Sequence, residues 1–429
     1  MIAFCFVAVL CVWLIVPMPR QRAALAEAQG TPTVPESTSA NLESGPRPTI
    51  TCPSNAIAIQ PGASIQAAVD GNPGAAIFCL KAGIHPIYGP VTPKSGNTFI
   101  GEYGAVLDGS RWSTSEREQG AFRAHNQDID DVTIRNLVIR NMPQRGIHAY
   151  PEKSDRWLIE YNEISNSRYC VSVGHSFTVR GNWFHDCVGD LSSAVDADHG
   201  GAYIGYKANF ALFEGNRIGP NNGTEQKLSM SRGTVFRGNY VYGNHGSGLW
   251  LDGDNVDATY EENRIEDNQS EGIFHEISGN AIIRNNVIRR NGVSGIFIST
   301  SRDLEIYNNT LEDNGRGINL FVSCEVVGPP GHNYLGDIGF DLRNVWISNN
   351  TIRVPRGRPY VYGSGLNSTG CTAEQLLPYV NGSKDLVFTG NHYVVPTLNG
   401  PWWYWALTFR TWAQWQALGH DPTATVAIL

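Results

Sequence analysis

Charge is the first thing this chain is short of. Only 17% of its 429 residues are charged, against about 25% in ordinary soluble domains. Lys occurs six times. So few charges beside 41% hydrophobic residues exclude a disordered chain, which is charge-rich and apolar-poor. The Ala, Glu, Lys and Leu excess of a coiled coil is missing too. Beyond the N-terminus there is no long apolar run, which excludes a multi-pass membrane protein. Basic residues are in deficit and the net charge is −8, so nucleic acid is not an expected partner. Met occurs four times and His forms no run, which argues against copper handling. No Cys-x-x-Cys or Cys/His spacing suggests structural zinc.

What the chain has instead is 46 Gly and 35 Asn. Both are turn residues, so a turn-rich, β-rich fold is expected.

Residues 2–16 are almost wholly apolar, and small-x-small patterns follow at Ala24-Leu25-Ala26 and Ala26-Glu27-Ala28. Residues 1–28 read as a signal peptide or, with Arg20 and Arg22 behind the apolar run, as an uncleaved membrane anchor. Residues 29–50 are rich in Pro, Ser and Thr and read as a linker. Residues 51–429 form the remaining domain. A secreted, periplasmic or extracellular location is expected, with membrane contact only through the N-terminal segment.

Of eight cysteines, Cys5 and Cys11 lie in that segment. The other six are Cys52, Cys79, Cys170, Cys187, Cys324 and Cys371. An even number in an exported chain suggests disulfides. Six cysteines allow about 15 connectivities; sequential pairing, 52–79, 170–187 and 324–371, is the expectation.

The strongest pattern is an internal repeat. Asn-x-hydrophobic-x-x-Asn recurs from Asn136, Asn216, Asn239, Asn263, Asn286 and Asn309, with imperfect copies from Asn162 and Asn182. From Asn216 onward the starts are 23 or 24 residues apart. Gly-aliphatic pairs follow at Gly248-Leu249, Gly272-Ile273, Gly295-Ile296 and Gly317-Ile318. This period is too short for most helical repeats. It suits a coil of three short strands, each coil stacking on the last in parallel. Asn tolerates left-handed turn geometry, and its side-chain amide can hydrogen-bond along the stack to its copy one coil away. Three intervals are longer: Asn182 to Asn216, Asn309 to Asn350 and Asn350 to Asn391. Their excess should protrude as loops near 186–210, 321–343 and 354–385 and wall a cleft.

These coils, with the lead-in Ile59-Gln60-Pro61-Gly62-Ala63-Ser64-Ile65-Gln66-Ala67-Ala68-Val69, resemble right-handed parallel β-helix proteins of the pectate-lyase-like superfamily over about residues 55–420. The resemblance implies an all-β, single-stranded right-handed parallel β-helix of about 10–12 coils with an N-terminal cap helix. Trp402, Trp403, Trp405, Trp412 and Trp415 suggest a C-terminal cap, with Phe409, Trp412, Trp415, Gln416 and Leu418 on one helical face. Proteins of this superfamily include lyases, hydrolases, epimerases and non-catalytic proteins, so the fold leaves the function open.

Aligning the coils on their glycines predicts which side chains face outward, because strand faces alternate. Leu249, Ile273, Ile296 and Ile318 should point in. With Gly223 aligned to Gly248, one outward column reads Lys227, Asp252, Glu276, Ser299. Its neighbour reads Glu225, Trp250, Phe274, Phe297. Charges beside aromatics on adjacent coils suit a polysaccharide ligand. The candidate catalytic residues are Lys227, Asp252 and Glu276, with His275 joining if a bulge turns it outward; alternation points it inward. Glu225, Trp250, Phe274 and Phe297 are candidate substrate contacts. Asp198 and His199, on the first long loop, are further candidates: Asp196-Ala197-Asp198-His199 resembles, in a different order, the Asp-Pro-His-Asp motif of alginate epimerases.

Three chemistries fit. Two carboxyls roughly 5–5.5 Å apart suit a retaining glycosidase. Lys227 could act as base in β-elimination on a uronate, and C5-epimerisation shares that first half. No cofactor is required by the pattern; Ca²⁺ is a candidate ligand of Asp252 and Asp254, which otherwise read as a turn. Two alternatives stand beside the polysaccharide lyase or glycoside hydrolase reading: a uronan C5-epimerase, and a non-catalytic carbohydrate-binding or cell-surface protein in which the column is a solvated salt-bridge ladder. A monomer is expected.

Overall fold

The computed structural model describes residues 48–429, apart from 115, 117, 125–126, 150–152, 189–199, 330–338 and 357–361. The expected signal segment and most of the linker lie outside the described residues.

Each repeat folds into three short strands, and each strand hydrogen-bonds to its copies in the neighbouring repeats. Three sheets result. The first runs over 13 strands from Ile57–Ile59 to Leu386–Thr389, and the second over 13 from Gly83–Pro86 to Thr425–Ile428. The third has 12, from Gly120–Arg123 to a final antiparallel hairpin, Trp403–Trp405 with Thr408–Arg410. The chain is a right-handed parallel β-helix, and its two longer sheets run slightly past the expected ten to twelve coils.

Alternation sends the aliphatic residue of each strand inward, so one apolar core fills the coil. Leu249, Ile273, Ile296 and Ile318 are fully buried, as are Ile265, Ile288, Leu311 and Ile352 on a second face. Each such side chain contributes about 1.5–3 kcal/mol on burial.

The asparagines close the corners. Asn162, Asn182, Asn216, Asn239, Asn263, Asn286, Asn309, Asn350 and Asn391 form one unbroken ladder. The backbone N–H of each member, except the last, donates to the next Oδ1 at 2.9–3.0 Å. The side-chain Nδ2 donates to the same oxygen at 2.9–3.1 Å. A second ladder joins Asn221, Asn244, Asn268, Asn291 and Asn314. The axial amide bonds expected from the repeat are therefore present. The left-handed backbone falls on the repeat asparagine itself at Asn136 and Asn141, both at φ 58°, but not in the later coils of the ladder. There it falls one residue earlier, at Gly215, Gly238, Glu262, Asn285 and Asn308, with φ between 56° and 60°. That residue makes the bend, and the ladder Asn turns its amide inward to replace the strand bonds lost there.

The long intervals are single coils with insertions, because the ladder steps directly from Asn182 to Asn216, Asn309 to Asn350 and Asn350 to Asn391. They are less loop-like than expected. The first contains the strand Gly201–Tyr206, and the last contains the strand Ser364–Thr369 and helix α2, Ala373–Val380. The disulfides pair as expected: Cys52–Cys79, Cys170–Cys187 and Cys324–Cys371. The last joins two of the insertions.

At the N-terminal end helix α1, Ile65–Asp70, buries Ile65 and Val69 in the core, and Ser64 accepts the Ala67 N–H at its start. At the other end Trp403, Trp405 and Trp415 are buried against Phe388 and Tyr393. The expected single helical face is shorter than predicted. Helix α3 spans Trp412–Ala417, Phe409 lies on the hairpin, and Leu418 is 47% exposed. Among the described residues no helix is long and apolar enough to cross a membrane.

Asn263→Ala strands the backbone N–H of Asn239 and one of its two Nδ2 hydrogens in a buried place and is expected to cost about 2–4 kcal/mol of unfolding free energy. Asn285→Gly, at an exposed left-handed position, is expected to change it by less than about 1 kcal/mol. Chemical denaturation of the two variants measures the difference.

Candidate active site

The third sheet places Trp250, Phe274, Phe297 and Asn319 in one outward column, and Asp252, Glu276, Ser299 and Phe321 in the next. Those registers match the expectation. The register of Lys227 does not. Leu228 pairs with Leu251, so Lys227 stands opposite Trp250 and Ser229 opposite Asp252, a slip of two residues. Two more residues separate Gly223 from Leu228 than separate Gly248 from Leu251. The buried Gln226 fills that space, donating from Nε2 to the carbonyls of Ser247 and Gly248 at 2.8 and 2.7 Å.

The lysine reaches its expected partner all the same. Lys227 Nζ lies 2.8 Å from Asp252 Oδ2 and 3.2 Å from Glu225 Oε1, and 4.7 Å from the centre of the Trp250 ring. The Trp250 indole N–H donates to Glu276 Oε2 at 3.2 Å. Tyr169, nearly buried and not anticipated from the repeat, donates its hydroxyl to Glu225 Oε2 at 3.4 Å. Two carboxyls, Glu225 and Asp252, therefore hold one ammonium, and Glu276 faces Asp252 from the next coil.

Burial, then the neighbouring Asp252 carboxylate, push Glu276 up to about 8, against the weaker pull of Trp250 and Lys227. Burial acts against the Lys227 ammonium, but Asp252 and Glu225 outweigh it and its pKa is raised. Near neutral pH the cluster holds a protonated Glu276 and a locked ammonium.

The aromatic column has a different character from a sugar platform. Trp250 and Phe274 stack at 5.2 Å and 12°, and Phe274 and Phe297 at 4.8 Å and 20°. These separations match the coil spacing of about 4.8 Å, so the rings cover one another's faces. Lys227 covers the outer face of Trp250 and the edge of Phe321 meets Phe297. What remains for a ligand is ring edges. The strip acts as an apolar wall that desolvates Glu276.

Two expected residues do not join the cluster. His275 points into the core, fully buried, with Nδ1 3.2 Å from the Tyr260 hydroxyl, and burial lowers its pKa to about 3. No bulge interrupts its strand, so it cannot carry protons on the outer face. Asp254 takes the left-handed turn position at φ 55°. Among the described residues Asp252 and Asp254 do not close on a third donor at metal-binding distance. Asp198 and His199 lie outside the described residues.

The first sheet shows what a structural charge ladder looks like in this fold. Arg135, Glu160, Arg180, Glu214, Arg237, Glu261 and Arg284 follow one another in register, signs alternating. Each carboxylate there faces a guanidinium on either side. The third-sheet cluster has no such balance.

The comparisons agree with this topology. A family model described as right handed beta helix region matches residues 145–311 and 276–333. The A-module of the Azotobacter vinelandii mannuronan C-5 epimerase AlgE4 superposes with a TM-score of 0.58 at 17% identity, over 85% of this chain and 95% of that one. The AlgE6 A-module of the same organism gives 0.56 at 15%, over 85% and 93%. XylC in complex with xylose gives 0.55 at 12%, over 85% and 82%. No curated protein sequence matches the chain. At these identities the likeness is one of fold.

The raised affinity of Glu276 has a consequence for stability. Between the ordinary carboxyl value of 4.5 and about 8 the folded chain binds more protons here than the unfolded chain. This group's contribution to stability therefore falls as pH rises through that window. Glu276→Gln cannot titrate and is expected to flatten the slope. Melting temperatures of both proteins across the window measure it.

Proposed function

We propose that the third sheet carries a carbohydrate-active centre that cleaves a polysaccharide, with Glu276 as the proton donor and Asp252, held by Lys227, as its partner. One observation carries this reading: a carboxyl group that keeps its proton near neutral pH, opposite a second carboxyl on the adjacent coil that an ammonium holds. Such chemistry needs an acid and a nucleophile, and burial suits Glu276 to the part of the acid. Facing positions on adjacent coils, about 4.8 Å apart, lie nearer the roughly 5–5.5 Å carboxyl separation of a retaining mechanism than the wider gap of an inverting one. Lys227 is the electrostatic anchor of Asp252 in this scheme. Its raised pKa argues against a role as the base of a β-elimination. The three disulfides support an exported protein, and XylC, of similar fold, was solved with a sugar.

A second reading draws on the two mannuronan C-5 epimerase modules of similar fold. On a uronate chain the Lys227 ammonium would pair with the sugar carboxylate; epimerisation would then need a base to take the C5 proton from one face of the ring and Glu276 to return one to the other. A binding-only protein would do neither.

Incubation with neutral and uronate glycans, with and without Ca²⁺, separates the readings. New reducing ends without ultraviolet absorbance are expected for hydrolysis. Unsaturated products mean elimination, a changed C5 signal in the polymer's proton spectrum means epimerisation, and an unchanged panel means binding alone. Glu276→Gln and Asp252→Asn are each expected to lower turnover about 10²–10⁴-fold with the circular-dichroism spectrum unchanged. Full activity in both would remove this centre.

A further inference from the structure

The third sheet is thin where the candidate centre sits. Among the described residues only Leu228 pairs with Leu251 between the strands Lys227–Ser229 and Leu249–Asp252, whereas the next interface pairs four residues. Two side chains from inside the coil replace the missing backbone bonds. Gln226 holds the Ser247 and Gly248 carbonyls, and its Oε1 accepts the Ala202 N–H at 3.2 Å. Tyr203, on the strand Gly201–Tyr206, reaches past the intervening coil, and its hydroxyl accepts the Trp250 N–H at 3.1 Å. Tyr203 is fully buried, with its ring packed against Phe213 and Phe236 at 5.1 and 5.8 Å.

Trp250 is the residue this bracket holds, and it touches both ends of the cluster. Its ring lies between Lys227 and Phe274, and its indole N–H meets Glu276. The ring contacts set the tilt of the indole plane. They leave its height along the strand to the backbone, and there the Tyr203 hydroxyl replaces a ladder bond. We propose that Tyr203 is a positioning residue of the centre: from inside the coil its hydroxyl fixes the Trp250 backbone, and through it the indole N–H that holds Glu276. The role rests on the reading of Glu276 as proton donor. Around Glu276 the preceding coils contribute the Asp252 carboxylate and the Lys227 ammonium. Ser299 on the following coil is uncharged, and His275 of the same strand faces the opposite side.

The indole N–H favours the ionised carboxyl, so loosening it should raise the proton affinity of Glu276. Tyr203→Phe removes only the hydroxyl. The titration midpoint of Glu276 is read by carbon-13 NMR on protein labelled at the Glu carboxyls, the resonance being assigned by its loss in Glu276→Gln. Tyr203→Phe is expected to raise the midpoint by about half a pH unit or more. Trp250→Phe is expected to raise it at least as much, and the double variant no further. A midpoint unmoved in Tyr203→Phe, even with a lowered melting temperature, would leave Tyr203 a purely structural side chain and overturn the proposal. So would effects that add in the double variant, or a Trp250→Phe midpoint equal to the wild type. The titration needs no turnover, so a glycan panel without products would count against the proposed function alone.

Discussion

A backbone N–H buried at a corner must find an acceptor, and in this protein nearly every corner of one edge finds it on an asparagine one coil away. The same side chain that accepts also donates onward, so each Asn works only if the next is in place. That condition forces successive coils into a common register, and three parallel sheets follow from it. The ladder ends on an acceptor that donates nothing. Asp421, fully buried, takes the N–H and Nδ2 of Asn391 and the hydroxyl of Tyr393 on its carboxyl oxygens. Burial raises its pKa despite those bonds.

With corners neutral and the interior apolar, little of the fold requires charge, and the charges present divide by face. On the first sheet they alternate and cancel along the axis. On the third sheet Lys227, Asp252 and Glu276 gather where, among the described residues, a single residue pair joins two neighbouring strands. Gln226 and Tyr203 repair that gap from within, and Lys227, Trp250 and Glu276 stand directly above it. An irregularity in an otherwise repetitive sheet is where local strand rules yield to a specific arrangement of side chains.

The regular parts of this arrangement could be read from the chain. The 23-residue period located the coils, alternation placed Leu249, Ile273 and Ile296 inward, and the pairs Trp250–Phe274 and Asp252–Glu276 followed from it. His275 obeyed the same alternation and so belongs to the core. The errors cluster where the period breaks. Lys227 was aligned on Gly223, but two extra residues before its strand moved it to the column of Trp250. Tyr169 and Tyr203 sit in imperfect copies whose spacing carries no signal of their reach to Glu225 and Trp250. The aromatic column was correct in membership, but its ring planes could not be read from residue type, so its exposed edges looked like faces.

The chain alone was enough for the coil, its inward residues, the disulfide partners and the two carboxyls that meet on adjacent coils. These depend on periodicity and on the short distance between neighbouring strands, both of which the order of residues encodes. The proton on Glu276, the locked state of Lys227 and the hold of Tyr203 on Trp250 depend on burial and on contacts between side chains from non-adjacent coils. Such distances exist only once the coils have stacked, so the folded structure alone decided them.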